Sequence, residues 1–380
     1  MSPAGTPLRV LHIASGDLWA GAEVQLFYLC RQLFKQGIDV RVVLFNPGIL
    51  AQRLTHEGVT VTILDESTCS GAQLLRKLMR HLRETKPTLI HTHGHKENVL
   101  AGLANRLTEK AAALRTAHGA SEINEPLWKI HKHIFQWLDR FAGRHWQQAI
   151  VAVSNQLAMV LAKTFAIEKI HVIENAIDIE YVKAMAALPL TLDLEAQGSK
   201  LAIVGRLVPV KRQDLLLKAL SLLRESKLHL YVIGDGPLAA QLMTLANDLN
   251  VSYRVTFTGA LDPVHPMLAQ MDLLIMPSDH EGLPMTLLEA MVLKVPIVAH
   301  GVGGITKVTR DGELATLVHV HTEQGYAAAI AKSLLDADAM RIRSEAAAEY
   351  VKREYDISRK YLDYLDLYNE LLRKQGSAAA

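Results

Sequence analysis

Short apolar runs, each followed by a glycine-containing or polar turn and then by a stretch of helical period, recur along almost the whole chain. Residues 8–14, 40–45, 59–64, 89–93, 114–118 and 150–153 are such runs in the first half, and 201–204, 228–233, 254–258, 273–276 and 296–299 repeat the pattern in the second. Parallel strands need a long crossover between them, usually a helix, so this alternation points to an α/β protein with mainly parallel sheets. Between the two series lies 183–199, KAMAALPLTLDLEAQGS, where the pattern is lost and the composition ends polar. We read it as a linker region. A chain of 380 residues with 49 % hydrophobic side chains suffices for two domains, each with its own core.

No apolar run approaches the ~18 residues of a membrane span. The N-terminus, MSPAGTPLRV, lacks the charged-then-apolar pattern of a secretion signal. Two cysteines, Cys30 and Cys69, make no disulfide framework, so a reducing cytoplasm is expected, with Cys30 a small core residue. The net charge is +2 but unevenly shared: residues 1–175 hold 20 Lys/Arg against 14 Asp/Glu, and residues 176–380 hold 21 against 25. A basic first half suits an anionic surface or acceptor. With no basic tail and no interleaved aromatic and basic motif, no nucleic-acid partner is expected.

The stretch 272–291, DLLIMPSDHEGLPMTLLEAM, carries the most chemistry. An apolar strand, a polar turn and a helix with Pro284 in its first turn place free backbone N–H groups and a helix dipole at the carboxyl end of a sheet, where a phosphate is favoured. Glu281 lies in the turn and Glu289 in the helix, with seven residues between. A carboxylate accepts two hydrogen bonds, so either can hold sugar or ribose hydroxyls. Spacing alone equally allows two solvated charges. Further upstream, Arg206 and Lys211 stand in a strand-to-helix loop, where two fixed cations suit a diphosphate. Gly234, in the turn GDGP, lets backbone pass near a nucleotide. The loop 15–23, SGDLWAGAE, with Gly21, follows the first strand and is expected to come close to a ligand. The run His91-Thr92-His93-Gly94-His95 has a metal-like density of imidazoles, but no cysteine or acidic residue at ligand spacing supports a metal, and it reads as a polar edge. His118 ends a strand, where a neutral imidazole can hydrogen-bond a hydroxyl.

EGLPMTLLEA resembles the signature E-G-[FL]-[GP]-x-x-x-x-E-A of the retaining nucleotide-sugar glycosyltransferases of family 4. The stretch 205–212, GRLVPVKR, resembles that family's G-R-x-x-x-x-K-G with Arg212 for the last glycine. The loop at Gly21 resembles G-G-x-E with Ala20 for the first glycine, and VIENAID resembles V-I-x-N-G-[IV]-D with Ala176 for glycine. The resemblance runs over residues 8–374. It implies the GT-B fold: two Rossmann-like domains with a central cleft, an acceptor-side domain over 1–182, the linker region 183–199, a nucleotide-sugar domain over 200–356, and a C-terminal helix, 357–374, crossing back to the first domain. The tail reads as one long helix over 347–374, with 375–380 ragged.

The activity implied is sugar transfer from an NDP-sugar, with UDP the commoner nucleotide, to a glycan or lipid-linked acceptor of bacterial surface polysaccharide, with retention at the anomeric carbon. The implied catalytic set is Glu281, His118, Arg206 and Lys211. Gly21, Gly234, Gly282, Leu283, Pro284 and Glu289 join Arg206 and Lys211 at the donor, with Glu289 on the ribose. Charge building on the leaving diphosphate is met by the two cations and the helix N-terminus, so no metal or other cofactor is expected. The formal Asp-x-Asp of Asp336 and Asp338 falls in a helical region and not at a strand end. Nucleotide-sugar 2-epimerases of similar fold, or a silent sugar-nucleotide-binding subunit, are the alternatives. Finally, 126–147, PLWKIHKHIFQWLDRFAGRHWQ, is basic and aromatic. Leu127, His131, Ile134, Phe135, Leu138, Phe141 and Ala142 form one helical stripe. Such a helix either packs that stripe inward or lies on an anionic membrane surface, at the inner face of a membrane.

Overall fold

The computed structural model describes residues 7–119, 130–190, 192–194, 198–224 and 227–379, without the side chains of 130–136 and 378–379. The chain divides into two units, residues 1–176 with 357–380, and residues 177–356. The first is built on β1 (Arg9–Ala14), β2 (Asp39–Leu44), β3 (Thr60–Ile63), β4 (Leu89–Thr92), β5 (Ala112–Ala117), β6 (Ala149–Ala152) and β7 (Ile170–Val172). These form one parallel sheet in the order β3-β2-β1-β4-β5-β6-β7. The second is built on β8 (Ser199–Val204), β9 (Leu228–Ile233), β10 (Val255–Gly259), β11 (Leu273–Met276), β12 (Ile297–His300) and β13 (Thr316–Val318), again parallel, in the order β10-β9-β8-β11-β12-β13. Strand order reverses between β1 and β4 and between β8 and β11. In open parallel sheets, ligands bind beyond the carboxyl ends of the strands at such reversals.

The sequence makes these sheets because both faces must be covered. β11, LLIM, is buried at every position, and so is β4. Strands covered on both faces read as continuous apolar runs, which is why they stood out. Helix Gly71–Thr85 presents Leu74, Leu78 and Leu82 to Leu11, Ile13, Val43 and Ile90 of the first sheet. In the second unit Leu216 and Leu220 of helix Gln213–Leu222 join Ile330 of helix Glu323–Leu335 in one core with Leu201, Ile203, Leu230 and Val232. Each such side chain contributes about 1.5–3 kcal/mol on leaving water.

Several expectations change. The chain passes between units at Ala176–Ile177, ahead of the expected boundary at 182. Helix Ile179–Ala186, read in part as linker, belongs to the second unit and buries Tyr181 and Val182; the Asp178 side chain caps it, accepting from Tyr181 N at 2.9 Å. β7 and β13 are three-residue edge strands that were not anticipated. The tail is two helices, Ala337–Glu354 and Ile357–Ala379. The break falls where Ile177 N–H donates to Tyr355 O at 2.8 Å, so the backbone there pairs with the other crossing segment instead of continuing the helix. The last helix belongs to the first unit and runs through 375–379, expected to be ragged.

Within 126–147, residues 126–129 lie outside the described residues, as do the side chains of His131, Ile134 and Phe135. In the described part of helix Ile130–His145, Asp139, Ala142 and Gly143 are buried. Phe141, placed in the inward stripe, is exposed and stacks on exposed Trp137 with ring centroids 5.9 Å apart. The buried polar centre explains the shift: Arg115 of β5 donates to both oxygens of Asp139 at 2.7 and 2.6 Å, and a carboxylate so engaged takes the inward position.

Candidate active site

The second unit gathers its chemistry at the β8/β11 reversal. After β8, Gly205 (φ +144°) turns the chain, exposed Arg206 follows, and Lys211 ends a short 3₁₀ turn. After β11, Pro277 to Pro284 form the second loop. The two loops are stitched together: Asp279 N–H donates to Val210 O at 2.8 Å, and Lys211 Nζ lies 2.6 Å from Glu281 Oε1. Ser278 Oγ donates to that same oxygen at 2.7 Å. Glu281 is thus fixed by two donors and is buried at 9 % exposure, whereas solvated loop charges are free to swing. Its Oε2 makes no hydrogen bond among the described residues. Arg206 keeps its guanidinium in solvent with no ion pair among the described residues, while its carbonyl accepts from Gln213 Nε2 at 3.1 Å.

Glycine makes the close approaches possible. A Cβ on Gly303 would lie 1.9 Å from Glu281 O, and one on Gly304 would lie 1.8 Å from Gly282 O. The start of helix Gly303–Val308 therefore presses directly against the Glu281 loop, with Gly304 N–H donating to Glu281 O at 3.3 Å. Gly234 (φ +142°) touches the Gly205 carbonyl the same way, at 2.1 Å for a notional Cβ. Gly282 is exposed, Leu283 half-buried and Pro284 buried as the residue capping helix Met285–Val292, one position earlier than expected. Glu289, inside that helix, is buried, with His265 Nε2 3.6 Å from its Oε1.

Behind this loop lies a layer that sequence reading missed. His300 Nδ1 meets Ser278 O at 2.9 Å, and its ring stacks on His321 at 3.8 Å between centroids. His321 Nε2 meets Asp279 Oδ1 at 3.0 Å, where Arg212 Nη1 also donates at 3.1 Å. Arg212 is the residue that stands in place of the motif's glycine, and its backbone keeps a glycine-like conformation at φ +51°. Its guanidinium instead ties the first loop to the second. The Asp336 carboxylate caps helix Ala337–Glu354, accepting from Ala339 N at 3.1 Å, so the Asp-x-Asp is a helix start.

The first unit gathers histidines at the β1/β4 reversal. His12 of β1 pairs in register with His91 of β4, and both are fully buried. His91, read from the sequence as a polar edge, is instead sealed: Nδ1 meets Tyr368 OH at 2.8 Å and Nε2 meets Thr116 Oγ1 at 2.7 Å. His12 Nδ1 meets His93 Nε2 at 3.0 Å, and His93 Nδ1 meets His118 Nε2 at 3.2 Å. His12, His91 and His93 offer nitrogens within 4.8 Å of one another. Five of the six are already hydrogen-bonded, all but His12 Nε2, so the group is a hydrogen-bonded chain before it is a set of open ligands. Burial drives the His12 imidazole down to about 3 and His91 and His93 well below their usual range, which keeps all three neutral. His95 does find an acidic partner, Asp139 Oδ2 at 2.9 Å, too distant in sequence to suspect. Gly21, expected in a loop, is the exposed first residue of helix Gly21–Lys35, and Glu23 Oε2 accepts from Ala20 N at 3.3 Å.

Comparison with known proteins agrees with this architecture. Residues 19–181 match the family model described as Glycosyltransferase Family 4, and residues 198–336 match Glycosyl transferases group 1. One curated relative, the UDP-Gal:alpha-D-GlcNAc-diphosphoundecaprenol alpha-1,3-galactosyltransferase of Escherichia coli, is 22 % identical over 98 % of this chain and 99 % of its own. The lipopolysaccharide core biosynthesis glycosyltransferase LpsE of Rhizobium meliloti is 34 % identical over 38 % of this chain and 42 % of its own. Among solved structures, HepE of Anabaena in complex with UDP and glucose superposes with a TM-score of 0.81 at 17 % identity, covering 96 % of this chain and 100 % of that one. Two parallel Rossmann-like sheets, the paired loops at Lys211 and Glu281, and matched family models over both halves lead to one conclusion: the chain belongs to the group 1, family 4 glycosyltransferases and has the GT-B fold.

Proposed function

We propose that this glycosyltransferase moves a hexose or N-acetylhexosamine from a UDP-sugar to a lipid-linked or glycan acceptor of bacterial surface polysaccharide, with retention of configuration and without a divalent metal. The observation that carries the reading is the Lys211–Glu281 contact at the β8/β11 reversal. An ammonium has three N–H groups, so Lys211 keeps two for a diphosphate while the third holds Glu281. Arg206, unpaired among the described residues, adds the second cation, and the N-terminus of helix Met285–Val292 adds backbone donors. These groups meet the charge that develops on the leaving diphosphate as the glycosidic bond opens through an oxocarbenium-like state. Glu281, fixed through Oε1, offers Oε2 to the donor sugar. Glu289 takes the ribose, Gly21 and Gly234 approach the phosphates, and His118 binds a sugar hydroxyl. The leaving phosphate oxygen takes the acceptor's proton. UDP and a polyprenyl-diphosphate acceptor are supported by the names of the Escherichia coli relative and of the Anabaena structure. None of the relatives named above is an epimerase or a silent subunit.

Among the described residues no helix is long and apolar enough to cross a membrane. Exposed Trp137 and Phe141, with exposed Arg140 and Arg144 on the same helix, support a peripheral contact with an anionic membrane at its cytoplasmic face. Co-sedimentation with vesicles containing an anionic lipid, lost in Trp137→Ser/Phe141→Ser, tests that contact. The transfer itself is tested by incubating UDP-sugars with an N-acetylglucosaminyl diphospholipid in EDTA and reading the new anomeric linkage by NMR. An α product from an α donor supports the reading; a β product, or a strict need for a divalent ion, rejects it.

A further inference from the structure

We propose that His300 is a positioning residue for sugar transfer: its Nδ1–H clamps the peptide unit between Ser278 and Asp279 and, through Ser278, sets the aim of Glu281. This rests on the reading of Glu281 as the carboxylate that faces the donor sugar. His300 is the last residue of β12, the neighbour of β11, whose following loop carries Ser278 and Glu281. All of these residues belong to the second unit.

A peptide unit is planar and stiff, so two anchors on its opposite edges fix its tilt. The unit between Ser278 and Asp279 has both. Its N–H, on Asp279, donates to Val210 O at 2.8 Å. Its carbonyl, on Ser278, meets His300 Nδ1 at 2.9 Å. With the first anchor alone the plane can rock about the line joining its two Cα atoms; with both it is held. The Ser278 side chain leaves from one end of that line, and its Oγ donates to Glu281 Oε1 at 2.7 Å. A rocking plane would therefore swing the hydroxyl that fixes the carboxylate. Ser278 is buried, and a buried carbonyl needs a donor, which the imidazole supplies.

The partners also settle the protons. A carbonyl only accepts, so His300 Nδ1 carries the hydrogen. The ring is held flat by His321, which stacks on it at 3.8 Å between centroids and 13° between planes. His321 is tied at both nitrogens. A carboxylate only accepts, so its Nε2 donates to Asp279 Oδ1 at 3.0 Å, and its Nδ1 takes the Tyr326 O–H at 3.1 Å. Arg212 Nη1 donates to the same Asp279 oxygen at 3.1 Å. The Ser278–Asp279 unit is thus gripped from the β8 loop on one side and from the stacked imidazoles on the other. What His300 governs is the aim of Glu281 and not the diphosphate seat, whose cations Arg206 and Lys211 lie on the loop after β8.

The wild-type full chain gives the first test, by long-range 15N–1H correlation with labelled histidine near neutral pH, the His300 signal being assigned from His300→Asn. A protonated Nδ1 at His300 is expected; a bare Nδ1, or averaging of the two tautomers, overturns the proposal. In transfer from UDP-sugars to the N-acetylglucosaminyl diphospholipid, His300→Leu should lower kcat about tenfold or more, while UDP affinity by calorimetry changes less than about threefold. His300→Asn puts an amide N–H where the Nδ1–H was and should restore most of kcat. An unchanged kcat in His300→Leu, equal losses in the Leu and Asn variants, or a loss of UDP affinity in step with kcat each overturns the proposal. Combined with Ser278→Ala, His300→Leu should cost less than the product of the two single losses, because both act on Glu281 along one line; strict multiplication overturns that line. Glu281→Gln separates the two ideas. Unimpaired sugar transfer in that variant rejects the sugar-facing role of Glu281, whatever His300 holds.

Discussion

Lys211 Nζ lies 2.6 Å from Glu281 Oε1, so the cation expected at the phosphates and the carboxylate expected at the sugar are one hydrogen-bonded unit. The link joins the loops after β8 and β11, and Ser278 completes it from the same side as Glu281. Residues in direct contact act together, so their losses should not add. Lys211→Ala and Glu281→Gln are each expected to lower kcat/KM by about 10²–10³, a magnitude typical of removing one electrostatic stabiliser. The double variant should fall far short of the product of the two. Strict additivity in a double-mutant cycle would show that the pair is incidental.

Gly303 and Gly304 set how closely a helix start can approach the Glu281 loop. Gly304→Ala puts a methyl group where Gly282 O already lies, 1.8 Å away, and a backbone atom cannot yield as a flexible side chain can. The loop must shift. We expect a loss of about 1–3 kcal/mol, typical of overpacking, together with at least tenfold weaker donor binding. Gly71→Ala is the control: like Gly304 it lies in the first turn of a helix without a positive φ, but nothing stands within 4 Å of a Cβ there. Thermal melts and UDP titrations on both variants separate the collision from the general cost of replacing glycine.

Asp139 holds Arg115, His95 and Asn98 at the centre of the first unit. Breaking a buried pair leaves an uncompensated charge, which typically costs about 3–5 kcal/mol. Asp139→Ala should therefore lower the denaturant midpoint sharply, more than the loss of an exposed pair such as Arg310–Glu313 in Glu313→Ala. Equal midpoints for the two variants would contradict a structural role for Asp139.

His12 and His91 are buried and neutral, with pKa values driven below their ordinary 6.5. The unfolded chain therefore binds protons at these groups that the folded chain refuses, and stability rises with pH through that window. Falling below pH 6.5, each imidazole should remove about 1.4 kcal/mol per pH unit until its folded pKa is reached, near 3 for His12. Asp139 acts in a lower window: its pKa is lowered in the fold, so its contribution is lost only as pH drops below the ordinary carboxylate range. Melting temperature against pH should thus fall already between pH 6.5 and 5, and His12→Phe should flatten that slope. An unchanged slope would mean that His12 is not buried neutral.

The sheet strands were legible because both their faces are covered, so they appear as unbroken apolar runs such as LLIM and LYVI. Edge strands β7 and β13 were not: three residues carry too little pattern, and β7 is only partly buried. That the loops carrying Lys211 and Glu281 would both follow strands could be read from the motif spacing, and the structure brings the two side chains into contact. Their second layer could not, since Ser278, His300, His321 and Arg212 come together only through the order of β8, β11, β12 and β13. His12 is one polar residue inside the apolar run 8–14, and nothing local marks it as the end of an imidazole chain. The stripe through Phe141 left open which face of its helix turns inward, and the Arg115–Asp139 ion pair, invisible in the sequence, decides it.

The most direct measurement is calorimetric titration of UDP, GDP and ADP into the full chain in EDTA, repeated with Arg206→Ala and Lys211→Ala. The account predicts saturable, metal-independent binding, tightest for UDP, that weakens at least tenfold in each variant. No binding of any of the three nucleotides, or binding that both variants leave unchanged, would contradict a diphosphate seat at the β8/β11 reversal and, with it, the proposed donor chemistry.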